Sequence, residues 1–193
     1  MRIGVLALQG GFAEHITALK KLSIDTFEIR RKADLRGEID GLIIPGGEST
    51  VIGRLLAETG LFHPIKELID GGLPTFGTCA GMILLAEKIE NDRAVYFGFM
   101  SITVKRNAYG RQLGSFHTEG FFTNVGNVPM TFIRAPSIVA TGVNVRVLAE
   151  VNEIKVAAES GNILVTAFHP ELTQDLRVHQ YFLEKISCHN ARA

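Results

Sequence analysis

The chain has 193 residues, of which 46% are hydrophobic, and its 20 basic side chains balance its 20 acidic ones. That length fits one α/β domain over residues 1–193, the apolar content argues against disorder, and balanced charge without a basic run argues against nucleic acid or anionic membrane as partners. The opening apolar stretch is too short for a signal peptide and no run of about 18 apolar residues could span a bilayer, while two cysteines, Cys79 and Cys188, point to a reducing cytoplasm.

In chain order, IGVLAL (Ile3–Leu8) is a compact buried strand ending in Gln9-Gly10-Gly11. Phe12, Ile16, Leu19 and Leu22 have the spacing of a helix face, and Ile24–Arg30 alternates as a strand. GLII (Gly41–Ile44) is a further buried strand, stopped by Pro45-Gly46-Gly47; helical spacing resumes at Val51, Ile52, Leu55 and Leu56, and again at Ile65, Leu68 and Ile69. Leu73–Phe76 reads as strand and Met82–Lys88 as helix. Uncharged strands alternating with helices predict a parallel sheet covered on both faces. After Val95 the pattern changes to short alternating runs: Ile102–Lys105, Phe116–Thr123, Thr131–Arg134, Val145–Val151, Ile154–Ala158 and Ile163–Phe168. These predict an antiparallel or mixed extension of the same sheet, closed by a helix over Gln174–Ile186.

Gly77-Thr78-Cys79-Ala80-Gly81 has the small-x-nucleophile-x-small form of a nucleophile elbow, with Cys as the nucleophile. A following helix would aim its N-terminal N–H groups at the sulfur, and the Ala80 N–H would serve an oxyanion hole. A buried, inert cysteine in a glycine turn explains the same residues. Phe168-His169-Pro170-Glu171 follows another buried strand, and carboxyl ends of such strands are where ligands collect. Two residues apart in extended backbone, with Pro170 restricting His169 to that conformation, His169 and Glu171 would project to one side. Glu171 could then orient His169 as the base for Cys79. A surface turn before a helix is the bland alternative for this tripeptide. Pro45-Gly46-Gly47-Glu48 could aim an N–H into an oxyanion hole or be an ordinary turn with Glu48 or Ser49 near the helix cap. Arg106 and Arg134 stand at strand ends where either could pair with a carboxylate. His15, His63, His117, His179 and His189 lack metal-ligand spacing, so no metal site is expected.

With these residues in place, the chain resembles the class I, triad-type glutamine amidotransferases, and within them the glutaminase subunits of pyridoxal 5′-phosphate synthases. The resemblance covers essentially the whole chain through IGVLALQG, GLIIPGGEST, FGTCAG, RNAYGRQLGSF, FIRAP and FHPELT. GTCAG and HPE mark the superfamily; PGGEST, RNAYGRQ and FIRAP select the narrower group. One departure follows Phe116, where many relatives carry an acidic residue and this chain has His117.

The resemblance implies a flavodoxin-like three-layer α/β sandwich, mostly parallel with an antiparallel or mixed extension. It implies hydrolysis of L-glutamine to glutamate and ammonia by Cys79, His169 and Glu171, with Ala80 and Gly47 in the oxyanion hole. Glutamine contacts fall on Gly46, Gly47, Glu48, Arg106, Ile133 and Arg134, and Gln9 falls near the subunit interface and oxyanion hole. The implied partner is the synthase subunit, a (β/α)₈ barrel in a large hetero-oligomer, without which the glutaminase is nearly idle. No cofactor is implied, since pyridoxal phosphate is the product of the complex. The competing expectations are a glutaminase of another amidotransferase (such as that of histidine biosynthesis), a DJ-1/PfpI-like cysteine hydrolase, and a non-catalytic docking subunit. DJ-1/PfpI-like chains commonly place His directly after the Cys, where this chain has Ala80.

Overall fold

In the computed structural model, which describes residues 1–108 and 114–191, the uncharged runs form the centre of a sheet. β1 (Arg2–Leu6), β3 (Gly41–Ile44), β4 (Thr75–Thr78) and β12 (Ile163–Thr166) are successive parallel neighbours, with β2 (Asp25–Ile29) outside β1. Leu42, Ile43, Ile44, Phe76, Leu164 and Val165 are completely buried, because helices cover both faces. α1 (Phe12–Lys21) and α5 (Arg177–Asn190) meet through buried side chains, and α2 (Ser49–Glu58) packs against α3 (Phe62–Asp70) and α4 (Ala80–Leu85). Each large aliphatic side chain buried this way contributes about 1.5–3 kcal/mol. Gly41 lets α5 lie close on β3: a Cβ there would stand 2.6 Å from Ile186 Cδ1. The result is the flavodoxin-like arrangement expected.

Beyond β12 the sheet turns antiparallel through β11 (Ile154–Ser160), β10 (Arg146–Val151), β7 (Ser115–Phe122) and β8 (Gly126–Ile133). A side branch joins β5 (Ala86–Ile89), β6 (Met100–Lys105) and β9 (Ser137–Thr141) to β11.

Several boundaries differ from the sequence expectation. β4 runs on through Gly77 and Thr78, which pair with Val165 and Thr166 of β12; this glycine serves close packing and does not end the strand. The helix expected over Met82–Lys88 stops at Leu85, because Ala86–Ile89 pairs with β6 instead. β8 begins at Gly126, well before the expected Thr131, and carries Pro129 inside it. Proline is tolerated there because β8 ends the sheet path. β9 was not expected at all. α5 starts at Arg177, later than Gln174, because the Asp175 carboxylate accepts from Arg177 N at 3.0 Å and sets the first turn there. Tyr109–Leu113, part of the RNAYGRQLGSF motif, lies outside the described residues.

Candidate active site

The chain turns sharply between β4 and α4. Cys79 sits there at φ 47°, ψ −100°, a conformation that costs a non-glycine residue about 1–3 kcal/mol. Its N–H donates to Thr166 O of β12 at 2.7 Å, which helps hold the turn. The flanking glycines are required sterically. A Cβ on Gly81 would lie 2.0 Å from Ile44 O, and one on Gly77 would lie 2.8 Å from the Gly81 backbone. The elbow read from GTCAG is therefore formed, with Cys79 at its apex and Ala80 as the first residue of α4.

His169 leaves β12 with its N–H donated to Thr131 O of β8 at 2.8 Å, so the antiparallel extension positions the imidazole backbone. Its Nδ1 lies 2.7 Å from Glu171 Oε1. The pairing was expected from extended backbone, and that reason was wrong. His169 has φ −106°, ψ 88°, and Pro170–Leu172 form a 3₁₀ turn that folds Glu171 back under the ring. Both side chains are almost fully buried. Burial pulls the His169 pKa down, but its interactions with the Cys79 side chain and the Glu171 carboxylate outweigh this and lift it to about 10. Burial likewise pushes the Glu171 carboxyl up, and its electrostatic interaction with the neighbouring His15 ring and the bond to His169 more than reverse it. A bond from Nδ1–H to the carboxylate leaves Nε2 as the nitrogen for proton transfer.

The turn after β3 closes against this pair. A Cβ on Gly46 would stand 2.3 Å from His169 Cε1 and 3.2 Å from Cys79 Cβ, so Gly46 packs directly on both. Gly46 O accepts from Gly11 N at 3.0 Å, and Gly10, at φ +100°, brings its backbone so close that a Cβ would lie 1.8 Å from that oxygen. In a trans peptide the N–H points opposite to the C=O, so the Gly47 N–H is directed away from the Gly10–Gly11 turn. Gln9 Oε1 accepts from Glu48 N at 2.7 Å, so the QGG turn braces the PGGE turn. The Glu48 carboxylate accepts from Val51 N at 3.1 Å and from the Thr50 hydroxyl, capping α2. These bonds, led by that to Thr50, hold its carboxyl below the usual range.

A cavity of about 290 Å³ opens over Cys79 and His169. Gln9, Gly47, Glu48, Arg106, Ile133 and Arg134, all expected at the site, line it; Gly46 lies behind them against His169 and Cys79. Arg106 is held by Asp92 Oδ2 at 3.0 Å and Tyr96 OH at 3.5 Å, with a buried Nε that has no partner among the described residues. Arg134 has φ 42° and donates its N–H to Gly114 O.

Sequence reasoning missed Ser49, Ile83, Asn107 and Pro136, which complete the wall. Asn107 follows Arg106 and Pro136 follows FIRA, so motif adjacency was the available signal. It also missed Thr78, His15 and His179, which form a buried polar cluster behind Glu171. His15 occupies the centre of the buried face of α1, where a polar residue interrupts the apolar pattern. Among the described residues no group of three or more His, Cys, Asp or Glu could hold a metal ion, and no helix is long and apolar enough to cross a membrane.

A flavodoxin-like sheet with a Cys–His–Glu constellation at its strand ends defines an amidotransferase-type chain. Residues 5–188 match the model of the SNO glutamine amidotransferase family, and the chain belongs to that family. It is 58% identical over 187 residues to the pyridoxal 5′-phosphate synthase subunit PdxT of Methanocorpusculum labreanum, covering 97% of this chain and 98% of that one. The subunit of the same name from Haemophilus influenzae is 54% identical, covering 95% and 97%. A crystal structure described as a glutamine amidotransferase superposes with a TM-score of 0.91 at 43% identity, covering 96% of this chain and 98% of that one. PurLQS from Thermotoga maritima, at 17% identity and TM-score 0.72, shares the fold.

Proposed function

We propose that this chain is the glutaminase subunit of a pyridoxal 5′-phosphate synthase, working as one domain. The observation that carries the reading is the strained Cys79 facing a buried His169–Glu171 pair in a cavity walled by Arg106, Arg134 and Glu48. Glutamine enters with its α-carboxylate toward the arginines and its side-chain amide over Cys79. The Cys79 sulfur attacks the amide carbon. The resulting oxyanion is held by the N–H groups of Ala80 and Gly47, each such donor being worth about 10²–10³ in rate. Imidazolium His169 gives its proton to the departing ammonia, which is why a raised pKa serves it. Neutral His169 then takes a proton from water, whose oxygen attacks the γ-glutamyl thioester and releases glutamate.

Ammonia in bulk water would be protonated and lose its nucleophilicity, so the chain docks on its synthase subunit and passes ammonia through a closed route. In this reading the glutaminase needs no cofactor, and a cytoplasmic setting suits its free thiols at Cys79 and Cys188. A glutaminase of histidine biosynthesis and a DJ-1/PfpI-like hydrolase are disfavoured by the PdxT names of the similar chains and by Ala80 after the cysteine.

The test is a coupled assay with glutamine, purified synthase subunit, a pentose phosphate and a triose phosphate. Pyridoxal phosphate should appear with the native chain, and Cys79→Ala should abolish both glutamate release and product. Glutamate release persisting in Cys79→Ala would overturn the assignment of the nucleophile.

A further inference from the structure

Behind the triad, on the face away from the cavity, lies a chain of polar groups that the reaction above does not use. His15 of α1 and His179 of α5 are both completely buried, with His15 Nδ1 3.0 Å from His179 Nε2. His15 Nε2 lies 3.1 Å from Thr78 Oγ1 and 3.4 Å from Glu171 Oε2. Thr78 Oγ1 in turn accepts the Gly46 N–H at 2.9 Å. One imidazole edge therefore touches the elbow strand, the triad carboxylate and, through Thr78, the glycine turn.

Two facts give this chain a direction. Among the described residues, neither the buried Glu171 Oε2 nor the buried His179 Nδ1 has a hydrogen bond of good geometry. An anionic carboxylate oxygen in that environment needs a donor, since leaving it bare costs more than any other open valence nearby. A buried nitrogen lone pair is more easily left open than a buried N–H. The arrangement that meets both conditions puts the His179 proton on Nε2, donated to His15 Nδ1. The His15 proton then sits on Nε2, shared between Thr78 Oγ1 and Glu171 Oε2.

We infer that His15, fixed in its Nε2–H form by His179, is a positioning residue of the glutaminase reaction: it holds the second oxygen of Glu171 so that the first stays aligned on His169. The inference deepens the proposed function and rests on it for the reaction concerned. Burial keeps both imidazoles neutral, and each pKa lies below its ordinary value. The charged and titratable groups facing His15 are Glu171 from the turn after β12, His179 from α5, His169 beyond Glu171, and Glu14 on its own helix. Neutral His15 can donate to the carboxylate without competing with His169 for its charge.

The inference is tested by two measurements. In the native full-length chain, nitrogen-15 NMR of the histidine rings should show His15 and His179 both neutral with the proton on Nε2 between pH 6 and 8. A His15 proton on Nδ1, or a cationic His15, would overturn the arrangement whether or not any variant folds. Second, steady-state glutaminase kinetics with the synthase subunit present should show His15→Leu lowering kcat by about 10- to 100-fold, the scale of one lost hydrogen bond to a charged group. KM should stay within about twofold, and the acid limb of the kcat profile should move to higher pH because Glu171 has lost a donor. His15→Gln, which retains an N–H near the Nε2 position, should recover most of the rate. A native kcat and pH profile in His15→Leu would refute the positioning role, as would equal losses in both variants with an unmoved pH limb. Absence of glutaminase activity in the native complex would sink the proposed function instead, and the ring-proton assignment would stand apart from it.

Discussion

Gly46→Ala isolates one geometric requirement of the site. The added Cβ would stand 2.3 Å from His169 Cε1 and 2.9 Å from its Nδ1, about 1 Å short of ordinary contact. The backbone cannot retreat, because Gly46 O is held by Gly11 N and Gly46 N by Thr78 Oγ1. The imidazole must therefore move by about 1 Å, and a misplacement of that size costs about 10²-fold in rate, or about 2.7 kcal/mol of activation free energy. The ring shift should also lengthen the 2.7 Å bond to Glu171. The expected result in the synthase-coupled glutaminase assay is a kcat about 100-fold below native, in a variant whose thermal midpoint drops by only a few degrees. A kcat within about threefold of native would refute the claim that Gly46 is needed to leave room for the His169 imidazole.

Three further outcomes follow from other contacts. Glu171→Gln keeps the shape but removes the charge beside His169, so its raised pKa of about 10 should fall; kcat should drop about 10²- to 10⁴-fold, and titration of the His169 ring by NMR checks the cause. Gly53→Ala would place a Cβ 2.2 Å from Tyr96 Cε1, displacing the ring that bonds Arg106; KM for glutamine should rise several-fold with kcat nearly unchanged, and an unchanged KM would separate Tyr96 from substrate binding. His179 has a pKa lowered to about 3 by burial and by neighbouring His15, below its unfolded value near 6.5. Between these values the unfolded chain binds a proton that the native chain refuses. Stability is thus fully present above about pH 6.5 and is lost as pH falls, by about 1.4 kcal/mol per pH unit for each such group. His179→Leu should flatten the dependence of the urea midpoint between pH 6.5 and 5; an undiminished slope would contradict the assignment.

His169 has the opposite sign: its contribution is complete below about pH 6.5 and fades as pH rises toward 10. The two histidines together place the stability maximum near neutrality, which a urea titration across pH 5 to 9 can check.

Much of the molecule was legible in order along the chain. The buried runs IGVLAL and GLII, separated by helical spacing, carried the parallel centre because strands covered on both faces must be apolar throughout, whereas Ile163–Phe168, expected in the antiparallel or mixed extension, supplies β12, a parallel neighbour of β4. GTCAG declared its elbow because only small residues fit where Gly81 meets Ile44 O. Gly47, Glu48, Arg106 and Arg134, singled out in the sequence, line the cavity over Cys79. What local pattern could not supply was pairing. Ala86–Ile89 became a strand because β6 lies beside it, and Pro129 was admitted because β8 ends the sheet path.

The same division runs through the active site. Residue types and spacing singled out Cys79, His169 and Glu171 as candidates, since a thiol at a glycine elbow and a His-x-Glu turn suit acyl transfer. Only the tertiary structure decided how Glu171 is held. A 3₁₀ turn, not extended backbone, brings it under His169, and its second oxygen faces His15, from 156 residues earlier in the chain. His15 and His179 carry no motif, because what makes them meaningful is a low-dielectric contact between helices that are distant in sequence and adjacent only after the sheet has folded.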